Sequence, residues 1–414
     1  MAEATPRIAA YTWRKQWKAE ICTGLVGGAS GLAAFVAMRS LGAPRWTPQF
    51  LAVAGQVPWL VAPGLEAFTR RLDARRAFVW LGIATSAPLL ALAFLPVEPQ
   101  GAHGHGVGPW WWFLGAMIVL VALDALYLPL RSALIRANYP ESVRGRYFGW
   151  ISGVSKTATV ASSKLGGMLL DHDPRLVRVW FPLVGVAGIV EHWLVSRIRW
   201  HRAEALRPSE SPGIVGHFRD ALREGWEILA RDRDFRIYEI GFMLYGTGFL
   251  MSQPLLAEFM DRTLKLSYSE ATWALGFGEP VSYLVVALVV GPMLPRLGVV
   301  AVTCAAFLLL SWFFVSMAFV TTPAWFIALY FVFGATMAGV NLGWNLGPMR
   351  FAPPGKTRAY MAVHLLLVGV RILVAPFLGF ALSRWVGTPL VFGVSSVLVA
   401  AGAVTTGLLA RRVR

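Results

Sequence analysis

Apolar runs of about 20 residues alternate with shorter polar connections from one end of the chain to the other. They fall at about 19–40, 46–68, 77–96, 110–132, 147–170, 178–197, 235–259, 270–293, 298–321, 324–347, 359–383 and 388–410. Each is long enough to cross a hydrocarbon layer about 30 Å thick. In lipid only helices and closed barrels satisfy their own backbone, so this pattern predicts an all-α membrane protein with twelve transmembrane helices. The longest break, residues 198–234, is polar and basic and leaves six runs on either side. It predicts an N-terminal six-helix bundle at 1–197, a cytoplasmic linker at 198–234 and a C-terminal six-helix bundle at 235–414. Within the linker, Phe218, Leu222, Trp226 and Leu229 recur at helical spacing between Arg219, Arg223 and Glu227. That is the pattern of an amphipathic helix on the inner membrane face. The first run is long, Gly-rich and without a small-x-small cleavage site, unlike a removable signal peptide.

Composition supports the membrane reading. Of 414 residues, 56% are apolar and 14% charged, where a soluble domain carries about 25% charged. The net charge of +16 would suggest nucleic acid in a soluble chain. Here most Lys and Arg fall in alternate connections: the N-terminal segment, the even-numbered loops and the C-terminus. By the positive-inside rule both termini are cytoplasmic, in a cell inner or plasma membrane. The basic excess therefore reads as topology and attraction to anionic lipids of the cytoplasmic leaflet, not as a nucleic-acid surface. Cys22 and Cys304 each lie in an apolar run and read as small buried hydrophobes. The pair His103 and His105 makes no metal set. With no phosphate loop, H-E-x-x-H or nucleophile triad, neither an enzyme nor a cofactor is expected. Any pumping must draw on an ion or solute gradient.

The halves repeat weakly. The fourth loop, "RANYPESVRGRYFGW", and the tenth, "RFAPPGKTRAYMAV", each place an Arg four residues after a Pro (Pro140 to Arg144, Pro354 to Arg358), then a Tyr, then a new helix. Parallel six-helix repeats are a known transporter architecture. Over nearly its whole length the chain resembles the major facilitator superfamily: six plus six spans, both ends inside, a long central loop. The family's second loop reads approximately G-x-x-x-D-R-x-G-R-R. Here "GLEAFTRRLDARR" keeps Gly64, Arg75 and Arg76, with Arg71 at the acid position, Ala74 for glycine and Asp73 as a substitute acid. The counterpart "GPMLPRLG" keeps Gly291, Arg296 and Gly298, with Pro295 for the acid. The resemblance implies gating roles for these loops, including Arg144 and Arg358. In the fifth helix, "ASSKLGG" keeps Gly166 and Gly167 of an antiporter motif but has Ser162 and Ser163 for Gly-Pro. Pro376 and Gly379 occur in "APFLG" of the eleventh. Exchange or efflux is one reading, close helix packing the other.

Ionisable groups inside spans are costly and are candidates for function. Lys156 lies about mid-membrane in the fifth helix, and Lys164 is near enough to the outer end to snorkel. In the eleventh, His364 and Arg371 are seven apart and share a face. Counted from Tyr147 and Tyr360, Lys156 and Arg371 occupy near-equivalent positions, and the family's architecture implies that these helices flank a central cavity. Two cations there would attract an anion, Arg being suited to a carboxylate or phosphate. The competing reading pairs them with Asp124 and Glu279 as structural ion pairs. The two readings combine if those carboxylates exchange protons as substrate binds. In the tenth helix Asn341, Asn345 and Trp344 are candidate solute contacts or interhelical bonds. Tyr245 and Gln253 are weaker candidates. Glu191, His192 and Glu239 lie near cytoplasmic span ends and read as interfacial.

The expectation is a secondary active transporter for a small organic solute, anionic or zwitterionic, with proton coupling as one option. The alternative class is a non-transporting scaffold subunit of a membrane complex, which would carry a partner protein.

Overall fold

The computed structural model describes residues 6–56, 74–96, 109–139, 141–199, 223, 225–353 and 356–412. Among them there is no strand. The principal helices are α1 (Pro6–Arg39), α2 (Thr47–Ala54), α3 (Ala74–Ala91), α4 (Trp110–Asn138), α5 (Glu141–His172), α6 (Val177–Ser196), α7 (Arg233–Ser252), α8 (Glu279–Leu297), α9 (Val299–Met317), α10 (Pro323–Phe351), α11 (Thr357–Val386) and α12 (Thr388–Arg412). Nine helices among the described residues are long and apolar enough to cross a membrane, and the apolar stretch Trp110–Asp124 is shorter. The fold is an all-helical membrane fold.

Helix and apolar run do not coincide at their ends. The first apolar run starts near 19, yet α1 starts at Pro6. Likewise α4 and α5 extend through the polar stretch to Asn138 and from Glu141. A helix needs an apolar surface only where lipid surrounds it, and its backbone bonds continue into water. The eighth span is compound. A short helix Tyr268–Thr272 and a π-helical stretch Trp273–Gly278 precede α8. Gly298, between α8 and α9, has φ +78°, a conformation glycine adopts without strain.

The helices cluster into two compact units. The first holds α1, α3 to α6 and the short helix Tyr268–Thr272. The second holds α2 beyond its first residue and α7 to α12. In the first, α1 lies along α5 at very short range. A Cβ on Gly28 would stand 2.6 Å from the Thr159 carbonyl oxygen and 2.7 Å from Ser162. Ser162 Oγ donates to the Leu25 carbonyl at 2.7 Å, and Ser163 Oγ to that of Gly28 at 3.2 Å. Gly166 lies against the Trp180 ring and Gly167 against Thr272. The small residues of "ASSKLGG" therefore do packing work, by the close backbone approach common between membrane helices.

In the second unit, α7 runs along α12, where Gly241 meets Gly402 and Thr406. Gly339 and Gly343 of α10 meet Ala306 and Thr303 of α9. The linker's described end is helical over 225–231. Ile228 is buried with Phe235, Tyr360 and Val363, with Leu229 packed against them. Trp226 is 75% exposed. Gly225, Ile228 and Leu229 pack against α7 and α11, and Trp226 lies outside that contact. Phe218 and Leu222 lie outside the described residues.

Candidate functional site

Arg371 is buried in α11, with its guanidinium laid over Gly246 of α7. One terminal nitrogen donates to the Phe242 carbonyl, and Nε has no hydrogen-bond partner. The rings of Tyr245 and Trp344 lie 5.5 and 5.9 Å from the guanidinium carbon. Glycine at 246 makes this placement sterically possible, since a Cβ there would occupy the guanidinium's space. No carboxylate forms an ion pair with Arg371 among the described residues.

Two turns earlier on α11, His364 is fully buried, with Nδ1 3.0 Å from both oxygens of Glu239 on α7. Phe242 and Trp344 meet the imidazole edge-on at centroid separations of 5.0 and 4.8 Å. Four of the sequence candidates, Arg371, His364, Trp344 and Tyr245, therefore converge in one unit around a shared aromatic wall. Glu239 joins them. It is 2% exposed, so the interfacial reading of this residue is corrected: the sequence showed how near the span end it lay, not which neighbours cover it.

Asn341 and Asn345 form a separate polar patch. Both are exposed. Asn341 Nδ2 donates to the Tyr283 hydroxyl at 2.7 Å, and Asn345 Nδ2 to the Asn341 carbonyl at 2.8 Å. Glu279 is half-buried at the start of α8, where α10 approaches closely through Gly334. Gln253 is exposed at the end of α7.

The first unit carries a second buried polar cluster that sequence reasoning passed over. Arg131 of α4 pairs with Glu20 of α1 at 2.5 Å. Gln16 donates to Glu20 at 3.1 Å, and the Tyr139 hydroxyl donates to Gln16 at 2.8 Å. Glu191 of α6 accepts from Thr23 at 2.7 Å. His192 directs Nδ1 to the Gly188 carbonyl at 2.8 Å and packs on Tyr127 at 4.5 Å. Glu191 and His192 are each 4% exposed, which corrects their interfacial reading too. The available signal was Glu20, an acid inside the first apolar run. Arg131 was masked by its position near a loop, and only the length of α4 brings it inside. Asp124 lies two turns before Arg131 on the same helix and is exposed. Lys156 and Lys164 are half-buried on α5.

Of the expected gating residues, Arg75 and Arg76 are exposed at the start of α3, and Arg296 is exposed in the last turn of α8. Arg144 and Arg358 fall in the first turns of α5 and α11. Gly64, Arg71 and Asp73 lie outside the described residues.

Helices of this length and composition, in two bundles with ionisable groups buried inside each, define a multi-pass membrane protein. The profile of the Major Facilitator Superfamily matches residues 20–366, and the chain belongs to that family. Its fold is similar to that of the nucleoside transporter NupG, at 11% identity over 96% of this chain and 99% of that one, with a TM-score of 0.69. It is also similar to a POT family transporter in complex with a thioalcohol-conjugated peptide, at 14% identity over 97% of this chain and 96% of that one, TM-score 0.73. A POT family transporter in complex with 5-aminolevulinic acid gives 13% identity over the same shares and a TM-score of 0.72. No curated protein matches by sequence.

Proposed function

We propose that the protein is a secondary active transporter that carries a small organic solute, anionic or zwitterionic, across a cell inner or plasma membrane by alternating access, with both termini cytoplasmic. One observation carries the solute class: Arg371, a guanidinium buried within a membrane helix, has no carboxylate partner in its unit among the described residues. A buried cation with no direct ion pair is costly, and an incoming carboxylate offsets that cost. Lys156 contributes a second cation in this reading, with His364 and Trp344 beside Arg371. Asn341 and Asn345 supply amide hydrogen bonds to the polar end of the solute. Asp124 and Glu279 are the candidates for proton coupling. Arg75, Arg76, Arg144, Arg296, Gly298, Arg358 and Gly64 belong to the gating loops, and anionic lipid of the cytoplasmic leaflet contacts the basic ones.

The test is a thermal-shift screen of purified protein against organic anions, amino acids, short peptides, 5-aminolevulinic acid, nucleosides, sugars and lipophilic cations, with Arg371→Ala alongside. A ligand at a hundred times its dissociation constant adds about 2.7 kcal/mol. Stabilisation by carboxylates that Arg371→Ala loses supports the reading. Stabilisation only by lipophilic cations or neutral sugars overturns the solute class. No stabilisation, together with a stoichiometric partner protein in mild-detergent purification, favours the scaffold instead.

A further inference from the structure

At one end of the second unit, the end of the linker helix, the first turn of α7, the start of α11 and the last turn of α12 meet around a cavity of about 490 Å³. Ile228, Tyr360 and Pro353 line part of it, and the rest of the lining is charged. Hydrogen bonds fix its walls. Arg236 of α7 donates to the Leu229 and Ala230 carbonyls at 2.6 and 3.0 Å, so it satisfies the last carbonyls of the linker helix. Asp232 accepts from the Phe235 N–H at 2.9 Å and from the Tyr360 hydroxyl at 2.8 Å.

Four cations and three carboxylates line the cavity, and they are not equally engaged. Asp232 is committed to those two donors. Glu227 pairs with Arg223 at 3.5 Å, and Asp234 with Arg412 at 3.7 Å. Arg231, Arg233 and Lys356 are exposed and form no ion pair among the described residues. Arg231 and Arg233 flank Asp232, the N-cap of α7. Lys356 is the N-cap residue of α11, which has no side-chain cap. Two long helices thus begin beside this cavity, and a helix start carries partial positive charge and unsatisfied N–H groups. Three like charges beside two helix starts repel one another, and an anion among them removes that repulsion. A phosphate suits this set best, because it takes arginine forks, a lysine ammonium and helix-terminal N–H groups together.

One acceptor remains. Asp234 Oδ1 is buried without a hydrogen bond, and Arg412 at 3.7 Å is beyond hydrogen-bond reach. A buried carboxylate oxygen calls for a donor, which a bare phosphate dianion lacks. We propose that this cavity binds a phosphate ester whose alcohol part carries a hydroxyl or ammonium group, with the phosphate among Arg231, Arg233 and Lys356 and the donor on Asp234. The volume falls within the range of small-ligand sites, about 300–1,000 Å³. Two sources offer this chemistry: a soluble phosphate ester and the headgroup of a glycerophospholipid. The site is separate from Arg371 and does not depend on the solute class proposed above.

The test uses purified protein in a maltoside detergent at low salt, titrated calorimetrically with glycerol 3-phosphate and with inorganic phosphate. Glycerol 3-phosphate should bind, and its affinity should fall about tenfold or more in the triple variant Arg231→Gln, Arg233→Gln, Lys356→Gln. All three side chains are exposed, so the variant should fold. Arg384→Gln, which removes a cation in the last turn of α11, should bind like wild type. Wild type should prefer the ester to inorganic phosphate, and Asp234→Ala should lose that preference. A preference that survives overturns the role of Asp234. A second arm compares melting temperatures in nanodiscs of phosphatidylcholine alone, whose headgroup has no donor, and of phosphatidylcholine with phosphatidylglycerol. Stabilisation by phosphatidylglycerol that the triple variant loses, without binding of glycerol 3-phosphate, assigns the site to a lipid headgroup. Binding of glycerol 3-phosphate assigns it to a soluble ester. Binding that the triple variant retains in both arms, or that Arg371→Ala abolishes instead, overturns the proposal, as does wild type that responds in neither arm.

Discussion

The two units bury comparable groups and treat them in opposite ways. In the first, the guanidinium of Arg131 meets a carboxylate directly, Glu20 at 2.5 Å, and that carboxylate is further tied through Gln16 to Tyr139. In the second, the carboxylate of Glu239 meets an imidazole, and the guanidinium of Arg371 has a backbone carbonyl and two aromatic rings for company. The first arrangement joins α1 to α4 with charges matched to each other. The second leaves the guanidinium without a carboxylate ion pair among the described residues and gives the acid an imidazole instead. Under the proposed function, the paired charges hold a bundle in register and the unpaired guanidinium responds to solute.

The sharpest way to break that contrast is to remove each arginine in turn. Arg131→Met leaves Glu20 buried without its cation, and breaking a buried pair from one side costs about 3–5 kcal/mol. The expected outcome is loss of most folded protein in mild detergent, seen as a collapse of the monodisperse peak in size-exclusion chromatography. Converting both partners, Glu20→Leu with Arg131→Met, should recover much of it. Arg371→Met strands no ion-paired carboxylate and forfeits one hydrogen bond from a charged donor, so its loss should be about 1.5–3 kcal/mol, below that of Arg131→Met. If the two arginines prove equally costly, the distinction between a structural and a responsive cluster fails.

The contrast was only half legible in the sequence. Periodicity and hydropathy carry the helices because a membrane span must be long and apolar whatever surrounds it. Arg371 and His364 stood out for the same reason: a charge or an imidazole deep in an apolar run has to be explained locally. Glu239, Glu191 and His192 were misplaced because each lies within a few residues of a span end. There, one-dimensional hydropathy cannot separate a group facing water from one covered by a neighbouring helix. Which cation meets which acid is a matter of helix adjacency, and a single sequence with weak repeats does not encode that in any local pattern. The small residues between Ser152 and Gly167 show the converse. They resembled a functional motif, and their contacts with α1, Trp180 and Thr272 are packing.

A subtler probe exploits Gly246, whose missing side chain makes room for the Arg371 guanidinium. Gly246→Ala forces the guanidinium aside, and overpacking of this kind costs about 1–3 kcal/mol. The expected result is a lowered melting temperature and weakened binding of any carboxylate found in the ligand screen. Adding Arg371→Ala to the same chain should restore the melting temperature but not the binding. That split separates the steric effect from the electrostatic one. Recovery of both would remove Arg371 from the site.

The smallest expected effect concerns how the responsive cluster is anchored. Asp232 caps α7, accepting from the Phe235 backbone N–H at 2.9 Å, and its other oxygen accepts from the Tyr360 hydroxyl at 2.8 Å. One carboxylate thus ties the first turn of the helix that carries Glu239 to the first turn of the helix that carries His364. Asp232→Ala removes a helix cap, at a cost of about 1 kcal/mol, along with the tie. Asp232→Asn retains the cap oxygen and weakens only the charge, so its melting temperature should fall between alanine and wild type. If the tie sets the Glu239–His364 separation, Asp232→Ala also weakens binding of any carboxylate found in the ligand screen while Asp232→Asn leaves it near wild type. A drop in melting temperature with unchanged binding would make Asp232 a cap alone, and the 3.0 Å contact between Glu239 and His364 would then be held by the aromatic packing of Phe242 and Trp344.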